Sequence, residues 1–141
     1  MPKVFVYGTL RKGDCRNRML VEATCVAAEA YLDGFDLLDM GSFPGIVPTE
    51  SASVTRVRGE VYDVSDDLLA DLDVVEGFQE DRPDDSLYLR QEVTVKIFGS
   101  EDIEVLTYIY NERRYRRHDR HNIIESGDWF DTKAQPPPPN F

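Results

Sequence analysis

Residues 4–7, Val-Phe-Val-Tyr, leave a β-strand without a polar face, because Phe5 and Tyr7 alternate with Val4 and Val6 and both sets are apolar. Such a strand belongs inside a fold, covered on both sides. It runs directly into Gly8-Thr9-Leu10. A glycine there can take positive φ at little steric cost, which lets the following amides converge on one point as a nest for a carboxylate or an oxyanion. The same residues also fit an ordinary strand end with a glycine turn.

The rest of the chain offers this strand its partners. Ala23 to Leu32 reads as a strand, and Asp33-Gly34 as a turn into Phe35-Asp36-Leu37-Leu38. Val57 to Tyr62 alternates at period two, a half-buried strand in which Gly59 marks a bulge or a close backbone approach. Tyr88 to Phe98 and Ile103 to Tyr110 also alternate, and Gly99 to Asp102 turns one into the other as an antiparallel hairpin. Asp14 is placed to cap a short helix reaching Val21. Ser65, followed by Asp66 and Asp67, starts a second helix with Leu68, Leu69, Leu72 and Val75 on one face and Gly77 as its stop. Gly41, Pro44, Gly45 and Pro48 enclose a loop in which Phe43 and Ile46 can cover something apolar. Gln79 to Ser86 is acidic, broken by Pro83, and expected to be a mobile loop.

No repeat or linker divides the 141 residues, so one domain is expected over 1–132, followed by a disordered tail over 133–141 whose proline run, Pro136 to Pro139, cannot join a sheet or helix. The amino terminus has no charged-then-apolar leader, and no apolar run approaches a membrane span, so a cytoplasmic protein is expected. Cys15 and Cys25 match no metal or redox spacing and read as free, structural thiols. A net charge of -11 argues against non-specific nucleic-acid binding. Asn111 to His121 runs the other way: Arg113, Arg114, Arg116, Arg117 and Arg120 against Glu112 and Asp119 give it +3. That segment fits a solvated stretch balancing an acidic fold, or a contact with phosphate or RNA. His118 and His121 within it read as surface histidines.

Glu76 closes the Ser65 helix, where the backbone dipole is negative and an ionised carboxylate is disfavoured. Val74, Val75 and Phe78 add apolar bulk around it, so its pKa should drift up toward the range useful for proton exchange near neutral pH. A solvated helix-end glutamate is the other reading of the same residue.

Five stretches recur in one order: Tyr7-Gly8-Thr9-Leu10, Gly41-Ser42-Phe43-Pro44-Gly45, Gly59-Glu60-Val61-Tyr62, Leu72 to Phe78, and Tyr88-Leu89-Arg90. Together they make the chain resemble the gamma-glutamylcyclotransferase-like family, which includes gamma-glutamylamine cyclotransferases and plant AIG2-like proteins. The resemblance covers about residues 3 to 130. It implies an α+β fold, a mixed, mainly antiparallel β-barrel flanked by short helices. It also implies a reaction in which a gamma-glutamyl amine or gamma-glutamyl amino acid cyclises to 5-oxoproline and releases the free amine. No cofactor and no metal are expected, and the expected partner is a small-molecule gamma-glutamyl substrate, not a membrane or a nucleic acid. By the same resemblance Glu76 is the general acid/base, Tyr7, Gly8, Thr9, Leu10, Tyr88 and Tyr110 bind substrate, and the Gly41–Gly45 segment is a pocket wall. Thr9-Leu10 is more similar to the branch acting on gamma-glutamylamines than to branches whose turn reads Gly-Ser. Taken as residues alone, the three tyrosines equally fit a core in which their hydroxyls are satisfied internally. Arg90 fits a structural pair with an acid. Two other functions stand beside the enzyme: a binding module for a gamma-glutamyl or small acidic ligand, and an RNA-associated β-barrel using Arg113 to Arg120 with Tyr115 for stacking.

Overall fold

The computed structural model describes residues 1–49, 56–112 and 123–133. Its strands are β1 (Lys3–Val6), β2 (Thr24–Asp33), β3 (Phe35–Asp39), β4 (Pro44–Pro48), β5 (Arg56–Asp63), β6 (Tyr88–Ile97) and β7 (Ile103–Tyr110). Helix α1 spans Asp66–Val75 and α2 spans Trp129–Lys133, with single 3-10 turns at Asn17–Leu20 and Pro83–Asp85. Five strands close a barrel in the order β1-β5-β2-β6-β7, and β3 and β4 form a separate two-stranded sheet. Every neighbouring pair is antiparallel except β1 and β7, which meet in parallel at Val4 and Leu106. The fold is therefore the mixed, mainly antiparallel barrel with short helices that the sequence implies.

The all-apolar first strand is central, flanked by β5 and β7. Its two faces feed two clusters: Phe5 and Tyr7 pack with Ala30, Leu32, Val57, Val61, Val105 and Trp129, while Val4 and Val6 pack with Leu10, Leu38, Val64, Leu72, Tyr88 and Tyr108. Gly59 earns its place by proximity, because a Cβ there would lie 2.3 Å from the Val6 carbonyl oxygen and 2.7 Å from the Phe5 ring. The missing side chain lets β5 and β1 close up where the Phe5 ring crosses.

Helix α1 starts and stops as its sequence dictates. The Ser65 hydroxyl accepts from Leu68 N at 3.1 Å. At the other end Gly77 takes φ +68°, with Gly77 N bonded to Val74 O and Phe78 N to Asp73 O, the two bonds of a Schellman motif.

Four local expectations change. Pro44 to Pro48 is not a loop but strand β4, in register with β3 from Phe35↔Pro48 to Asp39↔Pro44. Prolines are tolerated there because β4 pairs on one side only. Asp14 caps no helix: its carboxylate accepts from Cys15 N and from the Trp129 indole at 2.9 Å. Cys15 and Cys25 are free but exposed, so neither packs in the core. The Gln79–Ser86 segment is pinned rather than loose. Ser86 is fully buried, its hydroxyl accepts from Gln79 N at 2.8 Å, and the Asn111 side chain donates to the carbonyls of Pro83, Asp84 and Ser86. The arginine-rich segment and both histidines lie outside the described residues, as does the tail from residue 134 onward. Among the described residues no helix is long and apolar enough to cross a membrane.

Replacing Gly59 with alanine forces β1 and β5 apart against backbone that cannot yield. Urea unfolding of Gly59→Ala is expected to show a loss of about 3 kcal/mol, whereas Phe98→Ser, at a side chain 90% exposed in the β6–β7 turn, stays within about 0.5 kcal/mol of wild type.

Candidate active site

The turn after β1 is fastened from several directions. Arg11 N bonds to Gly8 O and Arg16 N to Thr9 O, at 3.0 and 2.9 Å. The Asn17 side chain donates to Leu10 O at 2.8 Å. From β5 the buried Glu60 carboxylate accepts from Arg11 Nε at 3.2 Å, from Lys12 N at 2.9 Å and from the Tyr62 hydroxyl at 2.8 Å. Arg11 reaches further, to Asp128 Oδ1 at 2.7 Å, and its guanidinium lies 4.0 Å over the Phe130 ring. Gly8, Thr9 and Leu10 are buried, yet among the described residues their amides donate to no backbone carbonyl outside the regular elements and to no side chain. Three fixed donors are thus left for something else.

Gly8 is required for a reason other than the expected one. It does not adopt positive φ; a Cβ on it would meet Pro44 Cγ at 2.5 Å and Cδ at 2.8 Å. The β4 end sits on the turn, and only glycine leaves room for it.

These turn residues line a small hollow of about 90 Å³, open to solvent, whose walls are Phe5 to Leu10, Arg16, Phe43, Pro44, Val75, Glu76, Leu87, Tyr88 and Tyr108. Residues 7–10, Glu76 and Tyr88 come together there. Phe43 and Pro44 supply the wall expected of the Gly41–Gly45 segment. Tyr110 does not line the hollow; it stands behind Tyr88, ring centroids 6.0 Å apart in an edge contact. The tyrosine on the wall is Tyr108, two residues earlier, which the strand's alternation places on the same face as Tyr110 and which only the curvature of the barrel brings to the hollow.

Glu76 caps α1, its amide bonded to Leu72 O at 2.9 Å. Its surroundings differ in part from expectation: Val74 is 79% exposed and points to water, and Val75, Leu87 and the pocket rings supply the apolar contact. Burial pushes the Glu76 carboxyl up to about 7, partly offset by the positive charge of Arg16 across the hollow. No ion pair or hydrogen bond holds the Glu76 side chain among the described residues. Its position is set three residues earlier by Asp73, whose carboxylate accepts from the Tyr108 hydroxyl at 2.7 Å and from Arg90 at 2.6 Å. Arg90 is therefore the structural pair expected of it. Tyr7 donates to Tyr108 O and Tyr88 to Pro44 O, and burial raises both phenols well above their ordinary range, so both stay neutral. Both tyrosines spend their protons on the frame while their rings wall the hollow. Arg16, Leu87 and Tyr108 escaped the sequence reading because nothing local marks them; only the packing of β1, β6 and β7 around α1 brings them together. Among the described residues no cluster of three metal-ligating side chains forms.

A closed five-strand barrel thus brings a turn and a half-buried carboxyl to one small hollow. The family model "Gamma-glutamyl cyclotransferase, AIG2-like" matches residues 4–131, and the chain belongs to that family. It is 34% identical over 116 residues to the gamma-L-glutamyl-butirosin B gamma-glutamyl cyclotransferase of Niallia circulans, covering 82% of this chain and 70% of that protein. It is 31% identical over 129 residues to the gamma-glutamylcyclotransferase family protein YtfP of Escherichia coli K12, covering 92% and 96%. Among solved structures, the AIG2-like protein of mouse shares the fold with a TM-score of 0.71 at 22% identity, over 91% of this chain and 87% of that one.

The raised Glu76 carboxyl has a signature in stability. A group bound to its proton more tightly in the folded state contributes fully below its unfolded pKa, about 4.5, and that contribution is lost as pH rises to about 7. Chemical denaturation of Glu76→Gln is expected to match wild type at pH 4 and to exceed it by about 2 kcal/mol at pH 8, after allowance for the solvent that reaches the carboxyl.

Proposed function

We propose that this protein is a gamma-glutamylcyclotransferase, converting a gamma-glutamyl amine or gamma-glutamyl amino acid into 5-oxoproline and a free amine. The observation that carries the reading is that Glu76 and the turn Gly8-Thr9-Leu10, whose amides have no partner among the described residues, line one hollow. The substrate brings its own nucleophile. Its α-amine attacks the side-chain carbonyl, a carbon–nitrogen bond closes the five-membered ring, and the bond to the leaving nitrogen breaks. One proton leaves the α-amine and one arrives on the leaving nitrogen, so no water is consumed.

Three tasks fall to the chain. The hollow holds the glutamyl arm folded back, a positioning effect on the order of 7 kcal/mol when reacting atoms are well placed. Glu76, ionised at the moment of attack, takes the proton from an amine whose reference pKa is near 8 and passes it to the departing nitrogen. A carboxyl pushed up to about 7 is poised for both halves of that transfer. The amides of the turn stabilise the oxyanion or hold the α-carboxylate, and being fixed in advance they need no reorganisation during reaction. Tyr7 and Tyr88 shape the wall; Tyr110 acts behind it, through Tyr88. Tyr108 joins the wall in front.

Incubation with several gamma-glutamyl amides should release 5-oxoproline, and Glu76→Gln should cut that release by about 10²- to 10⁴-fold. Ligand binding without product in either protein would make the chain a binding module instead. The kcat/KM of wild type is expected to fall as pH drops below about 7 and Glu76 takes up its proton.

A further inference from the structure

The hollow carries two charged side chains among its described lining, Glu76 and Arg16. Arg16 is exposed at the mouth, whereas the amides of Gly8, Thr9 and Leu10 lie buried deeper. Its backbone is fixed, since Arg16 N bonds to Thr9 O at 2.9 Å. Its guanidinium, by contrast, makes no hydrogen bond and no ion pair among the described residues, although the protein carries a net charge of -11. The neighbouring Arg11 pairs with Glu60 and Asp128, and Arg58 with Glu29 and Asp128. Arg16 is the cation among the described lining of the hollow, and the fold leaves it uncommitted.

We propose that Arg16 selects the leaving group, pairing with a carboxylate on the departing amine, so that gamma-glutamyl amino acids and peptides are favoured over neutral or cationic gamma-glutamylamines. The inference rests on the cyclisation proposed above. In that reaction the scissile carbonyl must lie between Glu76 and the turn amides, so the glutamyl arm occupies the deep end and the departing amine points to the mouth. A gamma-glutamyl dipeptide carries two carboxylates, one on the glutamyl arm and one on the residue that leaves. The deep amides can take the first; the guanidinium at the rim meets the second. An amine with no carboxylate leaves Arg16 unpaired, and one with a cationic tail meets it as a like charge. The preference runs opposite to the one that Thr9-Leu10 carries by resemblance.

The test compares gamma-glutamylalanine with its uncharged isostere gamma-glutamylalaninamide, measuring 5-oxoproline release by wild type, Arg16→Ala and Arg16→Lys. Wild type is expected to prefer the acid. Arg16→Ala should lower kcat/KM for the acid about 10-fold and for the amide less than about 2-fold, with Arg16→Lys recovering part of the difference. Loss of the Arg16 charge also alters Glu76, but that effect falls on both substrates and cancels in their ratio. Equal losses on both substrates would overturn the proposal, placing Arg16 at the glutamyl arm or in general support. If wild type releases 5-oxoproline from neither substrate nor from any other gamma-glutamyl amide, the cyclisation itself is refuted, a result distinct from turnover without discrimination.

Discussion

Glu60 is the hinge of the structure's logic. Its carboxylate is buried on β5, and three donors converge on it: the Arg11 side chain, the Lys12 amide and the Tyr62 hydroxyl. A buried carboxylate with fewer partners would be strongly unfavourable, and one that is fully satisfied locks whatever holds those donors. Two of those donors, Arg11 and Lys12, belong to the residues immediately after the amide turn. The turn cannot drift from the barrel wall without stripping a buried charge of its partners. A second carboxylate, Asp73, does the same for the helix that presents Glu76, through Tyr108 and Arg90. The two halves of the hollow are therefore clamped by two acids that never face it.

The contrast between the three acids is the electrostatic core of the site. Glu60 and Asp73 are surrounded by donors, while Glu76 has no donor among the described residues and only the positive charge of Arg16 to ease its ionisation. Desolvation without compensation raises a carboxyl; desolvation with compensation anchors one. Helix α1 and its cap thus hold a carboxylate anchored by donors, Asp73, and a carboxyl raised by burial, Glu76, three residues apart.

Much of this was legible in the sequence because the relevant signals are local. The apolar face-to-face pattern of Val4–Tyr7, the Ser65 cap, the Gly77 stop and the alternation of β6 and β7 each depend on neighbours a few positions away. Three of the misreadings are cases where distant chain overrode local pattern. Pro44 to Pro48 has the composition of a loop, yet β3 lies beside it and accepts it as an edge. Asp14 has the look of a cap, yet Trp129, 115 positions on, takes its carboxylate. Gln79–Ser86 has the composition of a loose segment, yet Asn111 ties three of its carbonyls together. In the site, Glu76 and residues 7–10 announced themselves through helix-end and strand-end chemistry. Arg16 and Tyr108 did not, since their relevance exists only once the barrel has closed.

The contacts of Asp128, Trp129 and Phe130 with Arg11 and Asp14 join the start of the last described helix to the first turn, across 115 to 119 positions. During synthesis Arg11, in the turn that follows β1, emerges 117 positions ahead of its counter-ion Asp128, and until that stretch is made the turn also lacks Phe130 as a cover. Assembly of the hollow is consequently a late, long-range event, with the loop-closure cost that such pairings carry. A nascent chain halted short of Asp128 would hold the residues of the turn without the support that shapes them.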